Sequence, residues 1–169
     1  AMGESYTSKA MRQVQEGLRE KHGKYDLRTE IRAIADVPIA FEPGTHWLYG
    51  YGHELVAGLI EVASGMRISE FLQKEIFDPL GMTSTGYRFF GDIGNRMVPM
   101  YRRNPDGTLS RSVGMFDDRH QPDAIYEGGG AGLFSTVRDY LRFTQMLANG
   151  GELDGVQILG RKTIDLMRQ

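Results

Sequence analysis

From Tyr51 to Ser64 the chain runs without a proline through a segment that can hardly be anything but a helix. Leu55, Leu59 and Val62 recur at helical spacing and form one stripe, and Val56, Ile60 and Ala63 widen it past half of the circumference. Gly65 supplies the stop, because glycine readily takes the left-handed conformation that ends helices. A helix this apolar implies burial on two sides.

The neighbouring segments share that character. Ser8 to Lys21 carries Met11, Val14 and Leu18 at three- and four-residue intervals, and Gly23 follows. Leu27 to Ala35 places Leu27, Ile31 and Ile34 on one face. Ser69 to Phe77 turns Phe71, Leu72, Ile76 and Phe77 inward, with Pro79 expected to stop it. Thr136 caps a helix to Asn149, with Asp139 three residues on as a variant of the capping box. Val137, Tyr140, Leu141, Thr144, Leu147 and Ala148 line one face of that helix, and Gly150-Gly151 ends it. Leu159 to Gln169 reads as a further helix in mid-course.

Strand signals are few. Met97–Arg103 and Thr108–Val113 flank Asn104-Pro-Asp-Gly107, a hairpin with a four-residue loop. Leu153–Ile158 reads as a small hairpin around Asp154-Gly155, and Gly114–Ile125 as a polar loop. The expected class is mainly α with a small β-hairpin (α+β), in a single helical domain or subdomain over 1–169 with the hairpin inserted near 97–113.

Composition narrows the partners. The net charge of −2 offers no electrostatic case for nucleic acid or an anionic membrane surface. No apolar run reaches the roughly 20 residues a membrane span needs. The lack of cysteine excludes disulfides, thiolate metal sites and a cysteine nucleophile. It leaves the compartment unassigned. Ala1 before Met2 reads as the remnant of a removed tag.

The chemistry-bearing stretch is Phe41-Glu-Pro-Gly-Thr-His-Trp-Leu-Tyr49. A phenol titrates near pH 10 and serves as a base only where neighbouring cations stabilise the phenolate. Residue type alone therefore leaves Tyr49 open between a catalytic phenol and a buried tyrosine filling space beside Trp47. The sequence continues in order through Gly58-Leu-Ile-Glu61, Asp78-Pro-Leu-Gly81 and Gly128-Gly-Gly-Ala-Gly-Leu-Phe-Ser-Thr-Val-Arg-Asp139 to Gln145-Met-Leu-Ala-Asn-Gly-Gly-Glu-Leu-Asp154.

This series resembles the middle of the serine β-lactamase-like hydrolases, which include class C β-lactamases, esterases and D-amino-acid peptidases. The resemblance implies a helical subdomain of the β-lactamase/transpeptidase-like fold, without the α/β sandwich that both termini build in the family. It also implies that Tyr49 is the base of an acyl-serine mechanism in a parent hydrolase. The substrate would be a small-molecule ester, amide or lactam, with no cofactor and no metal. The family's Ser-x-x-Lys motif occurs nowhere in the chain, and neither does a Lys-Thr-Gly or His-x-Gly strand. Lys162-Thr163 lies in a helical context. The chain alone is therefore expected to be inactive. A non-catalytic binding or scaffold module derived from the same fold is the alternative.

Two further positions are candidates for substrate contact. The family often has Tyr-x-Asn where this chain has Tyr49-Gly50-Tyr51, so Tyr51 cannot supply the asparagine amide and tilts the reading toward esters. A structural role for Tyr51 at the helix start stays equally open. Gly129 and Gly130 belong to a glycine cluster that reads mainly as room for close backbone packing, with substrate contact as the second option. The histidines His22, His46, His53 and His120 lack metal-ligand spacing and are read as surface or loop residues. Glu16, Glu20 and Glu30 are read as solvated helix faces. An apolar subdomain face left open in the isolated chain predicts self-association.

Overall fold

The computed structural model describes residues 6–112 and 119–169. The expected Ala1-Met2 start, Val113 at the hairpin's end and part of the Gly114–Ile125 loop lie outside them. The chain divides into two compact units, Ala1–Ile68 with Ile125–Ala131, and Ser69–Ala124 with Gly132–Gln169.

The first unit is built on three helices, α1 (Tyr6–His22), α2 (Leu27–Ile34) and α3 (Gly52–Ser64), with α2 packed on both of the others. Asp26 caps α2, its carboxylate accepting the Thr29 amide at 2.9 Å. Burial disfavours its charge, but hydrogen bonds from the Thr29 hydroxyl and amide, with Arg67 nearby, prevail and hold this carboxyl below its usual range. Met11, Leu18, Leu27, Ala57 and Ile68 are buried. Gly65 ends α3 in the left-handed region, its amide donating to Glu61 O at 3.0 Å.

The buried face of α3 is not the one its apolar pattern suggests. Ala57, Gly58 and Glu61 are buried, whereas Leu55, Val56, Leu59 and Val62 are exposed. Small residues let α2 come close: a Cβ on Gly58 would fall 2.2 Å from Ile31 Cδ1. The apolar stripe of α3 is exposed among the described residues, in keeping with the open subdomain face expected from the sequence.

Three carboxylates of this unit lie inside, one of which, Glu30, is expected on the surface. Glu30 is fully buried and accepts hydrogen bonds from Gln15 Nε2 at 2.8 Å and from the Tyr126 hydroxyl. That corrects its reading as a solvated residue: a partner from a distant loop satisfies it. Glu61 pairs with Arg28 at 2.8 Å and accepts the Ile68 amide at 2.9 Å. Glu127 is buried with its Oε1 3.1 Å from Arg67 Nη2.

In the second unit, α4 (Ile68–Leu72) passes into a π-helical turn (Gln73–Phe77) and a short α5 (Asp78–Leu80). Pro79 therefore does not stop the helix. The wider turn before it shifts the bonding, with the Asp78 amide donating to Gln73 O, so the chain need not break where the proline ring enters. Gly81, in the left-handed region, is the stop. Then come α6 (Ile93–Arg96), the hairpin β1 (Tyr101–Arg103) with β2 (Leu109–Arg111), α7 (Val137–Ala148), the hairpin β3 (Glu152–Leu153) with β4 (Val156–Gln157), and α8 (Arg161–Met167). Both sheets are antiparallel, with Arg102 opposite Ser110 and Leu153 opposite Val156. The strands of the first hairpin are shorter than expected, because the Asn104–Gly107 turn is tight and both strands face solvent.

Phe77, Leu80, Met82, Met146 and Leu153 form the core of this unit. Each such side chain contributes about 1.5–3 kcal/mol when fully buried. Thr136 caps α7 as expected, accepting the Asp139 amide at 3.2 Å. The Asp139 carboxylate instead binds the Ser84 amide at 2.7 Å and the Thr85 hydroxyl at 2.8 Å. Val137, Tyr140 and Leu141 are exposed, so the apolar face read for α7 is largely its outer one. His120 lies in a turn, as the loop reading allows, but is buried against Phe89 and Phe134, its Nδ1 2.8 Å from Tyr87 O, so it is not a surface residue.

Candidate active site

Tyr49 emerges from a turn whose chemistry is local. The Thr45 amide and hydroxyl both donate to Glu42 O, at 3.2 and 2.6 Å. Pro43 sits at the second turn position, and Gly44 takes the positive φ of 84° that a type II turn requires at the third. The Thr45 hydroxyl also lies 2.9 Å from His46 Nδ1, and the His46 ring contacts Phe41. The chain then passes Trp47 and Leu48 and enters α3 through Tyr51, its N-cap.

Tyr49 is 78% exposed and Trp47 83%. Among the described residues Tyr49 is therefore not buried beside Trp47. The phenol lines an open depression of about 320 Å³ with Gly50, Tyr51, His53, Glu54, Gly130 and Ala131. Three of the residues singled out in the sequence, Tyr49, Tyr51 and Gly130, therefore meet at one place.

Gly129 does not line the depression. It is pressed against the first turns of α3, where a Cβ would fall 2.1 Å from His53 O and 2.7 Å from Ala57 Cβ. Gly130 donates its amide to Glu54 Oε1 at 3.1 Å. The preceding residues are tied down too, by Arg67 donating to Ile125 O at 2.6 Å and by the Arg67–Glu127 ion pair. The glycines thus give the 125–131 segment its close fit on α3, and polar contacts fix its position.

Glu54 is the site residue that sequence reasoning missed. An acidic residue in the first turn of a helix is ordinarily a macrodipole partner. Its tie to Gly130 spans 76 positions and leaves no local trace. No lysine or arginine lines the depression. Among the described residues no group of three or more metal-ligating side chains converges, and no helix is long and apolar enough to cross a membrane.

A family model described as Beta-lactamase matches residues 8–169. The chain belongs to the beta-lactamase family. Protein Rv1367c of Mycobacterium tuberculosis is 30% identical over 138 residues, which cover 82% of this chain and 34% of that protein. Lovastatin esterase of Penicillium rubens is 34% identical over 121 residues, covering 69% of this chain and 30% of the esterase. Among solved structures, unliganded simvastatin synthase (LovD) from Aspergillus terreus superposes with a TM-score of 0.72 at 26% identity, over 95% of this chain and 37% of that one. This beta-lactamase-family chain spans about a third of the length of the curated relatives it matches. Its mainly helical architecture, with two small antiparallel sheets, is part of a serine hydrolase and acyl-transfer fold.

Proposed function

We propose that the chain is the helical region of a serine hydrolase that cleaves ester, amide or lactam bonds through an acyl-serine, with esters favoured. In this reading Tyr49 takes the proton of the attacking serine and later helps activate the water that releases the acyl group. The observation that carries the reading is the exposed Tyr49 phenol, presented by the Pro43-Gly44 turn at the mouth of a depression shared with Tyr51 and Gly130. The similarity to a lovastatin esterase and to Esterase EstB of Burkholderia gladioli supports esters over lactams. So does a tyrosine at position 51, which cannot present an amide to a lactam carbonyl.

The 169-residue chain carries no Ser-x-x-Lys, so turnover by the chain alone is not expected. It is to be assayed with a chromogenic butyrate ester and a chromogenic cephalosporin. Hydrolysis that disappears in Tyr49→Phe would overturn the claim that the nucleophile is supplied from elsewhere. In a longer reading frame containing Ser-x-x-Lys, Tyr49→Phe is expected to lower kcat by about 10²–10⁴-fold, the usual weight of a positioned base. An unchanged kcat there would remove Tyr49 from the mechanism.

A further inference from the structure

We propose that the depression beside Tyr49 is a subsite for an alkylammonium group, with Glu54 as its counter-ion and the Tyr49 and Tyr51 rings as its walls. The proposal deepens the hydrolase reading by naming a substrate class for the same site, namely esters that bear a basic amine.

The carboxylate comes first. Glu54 Oε1 accepts the Gly130 amide at 3.1 Å, and no lysine or arginine among the described residues pairs with it. One N–H occupies one of about four lone-pair positions on an ionised carboxylate. The charge therefore stays unneutralised and most of its acceptor capacity stays open. Glu61 and Glu127 differ in having Arg28 and Arg67 as partners, whereas Glu30 is buried and bonded to Gln15 and Tyr126. Glu54 alone combines a missing cation with a place in the depression.

The carboxylate is also held in place. A Cβ on Gly130 would fall 2.6 Å from Oε1 and 3.0 Å from Oε2, so glycine leaves both oxygens room to lie over the loop backbone. Gly129, pressed on His53 O and Ala57, keeps that backbone from drifting.

The walls come second. Two tyrosines line the same depression, and an ammonium is attracted to the negative face of a phenol ring as well as to a carboxylate. A primary ammonium brings three donors to the open lone pairs of Glu54. A carboxylate-bearing ligand would meet Glu54 at like charge, with no basic residue in the lining to offset it.

Three probes of the same shape separate these cases: benzylammonium, benzyl alcohol and benzoate. Each is titrated into the ¹⁵N-labelled 169-residue chain at low ionic strength and mildly alkaline pH, following the Gly50, Gly130 and Ala131 amides. Two unit charges in contact in aqueous surroundings are worth about fivefold in affinity. Benzylammonium is thus expected to bind about fivefold tighter than benzyl alcohol, and benzoate about fivefold weaker. Glu54→Gln, which keeps an acceptor for the Gly130 amide, is expected to erase the ranking, and so is about 1 M salt on the unsubstituted chain. Equal affinities, no binding by benzylammonium, shifts mapping elsewhere, or a ranking that survives Glu54→Gln would each overturn the subsite. The salt arm decides the matter if the variant fails to fold. None of the probes has a cleavable bond, so this result stands apart from the turnover assays that test the hydrolase reading.

Discussion

Replacing Gly129 by alanine tests how the glycine cluster works, because one methyl group separates packing from conformational freedom. Gly129 is not among the glycines with positive φ, so alanine can adopt its backbone angles. The cost arises only from contact. The added carbon would meet His53 O at 2.1 Å and Ala57 Cβ at 2.7 Å, whereas comfortable separations are about 3.5–4.0 Å. The nearer atom belongs to the backbone of α3, so no rotamer change relieves the clash. Either the 125–131 segment or the first turn of α3 must move by on the order of 1 Å. That movement would stretch the Gly130–Glu54 bond and the Arg67 contacts to Ile125 and Glu127. Overpacking a well-filled site costs about 1–3 kcal/mol, and a backbone clash belongs at the upper end. For a chain of this size each kcal/mol lowers Tm by about 2–4 °C, so the melt should fall by about 6–12 °C. Gly17→Ala is the internal control. It lies within α1 with nothing within 4 Å of its would-be Cβ, and should raise stability by about 0.5–1 kcal/mol through helix propensity. Circular-dichroism melts of the two variants should diverge in sign. A Gly129→Ala midpoint within about 1 °C of the unsubstituted chain, alongside a raised Gly17→Ala midpoint, would refute the packing argument.

Asp139→Ala should destabilise the chain by about 2–3 kcal/mol in urea unfolding, because it strips a buried carboxylate from the Ser84 amide and the Thr85 hydroxyl. Thr136→Ala, which removes only the cap, should cost about 1 kcal/mol, and equal losses for the two would sink the distinction. The Asp26 carboxyl is held below its ordinary range, so its contribution is present above the usual carboxylate pKa and is lost as pH falls through its folded value. The stability gap between the chain and Asp26→Asn should therefore narrow below about pH 4, by about 0.5 kcal/mol or less given its exposure, and a gap that widens there would be wrong in sign. The exposed stripe of Leu55, Val56, Leu59 and Val62 predicts self-association, seen as a light-scattering mass that rises with concentration and is lowered by Leu59→Lys. A strict monomer at high concentration contradicts it.

Helix ends were legible because their chemistry is local. Gly23, Gly65, Gly150 and Gly151 all take positive φ where a stop was expected, and Thr136 caps α7 through a residue three positions away. The Asp154-Gly155 turn is of the same kind, both residues having positive φ. Which face of a helix is buried was not legible. Apolar periodicity marks a surface that excludes water against some neighbour, without naming that neighbour. On α3 and α7 it picked out residues exposed here, while the contacts actually made use Ala57, Gly58, Glu61 and Asp139, three of which read as neutral or polar. The site divides in the same way. Tyr49 and Gly130, the proposed site residues, stand out in an ordered run of short motifs. Glu54 could not, because its role depends on a backbone amide 76 positions away.

Beside its apolar core of Met11, Leu18, Leu27, Ala57 and Ile68, the first unit buries carboxylates and exposes aliphatic residues. Glu30, Glu61 and Glu127 are at most 5% exposed while four aliphatic residues of α3 face outward. Burying a carboxylate is expensive, and even a well-made ion pair often does no more than recover that cost. Net stability is therefore a poor account of the Arg28–Glu61 and Arg67–Glu127 pairs. Direction is a better one. An apolar contact of similar area tolerates sliding, whereas the Tyr126–Glu30, Arg67–Glu127 and Gly130–Glu54 contacts each require one placement of the 125–131 segment. Two of the three acceptors sit on α2 and α3, so the segment is registered against the helix that begins two residues after Gly50. The polar interior thus acts on the depression at a distance, by fixing the segment whose Gly130 and Ala131 line it, and the close fit of Gly129 on α3 adds to that constraint.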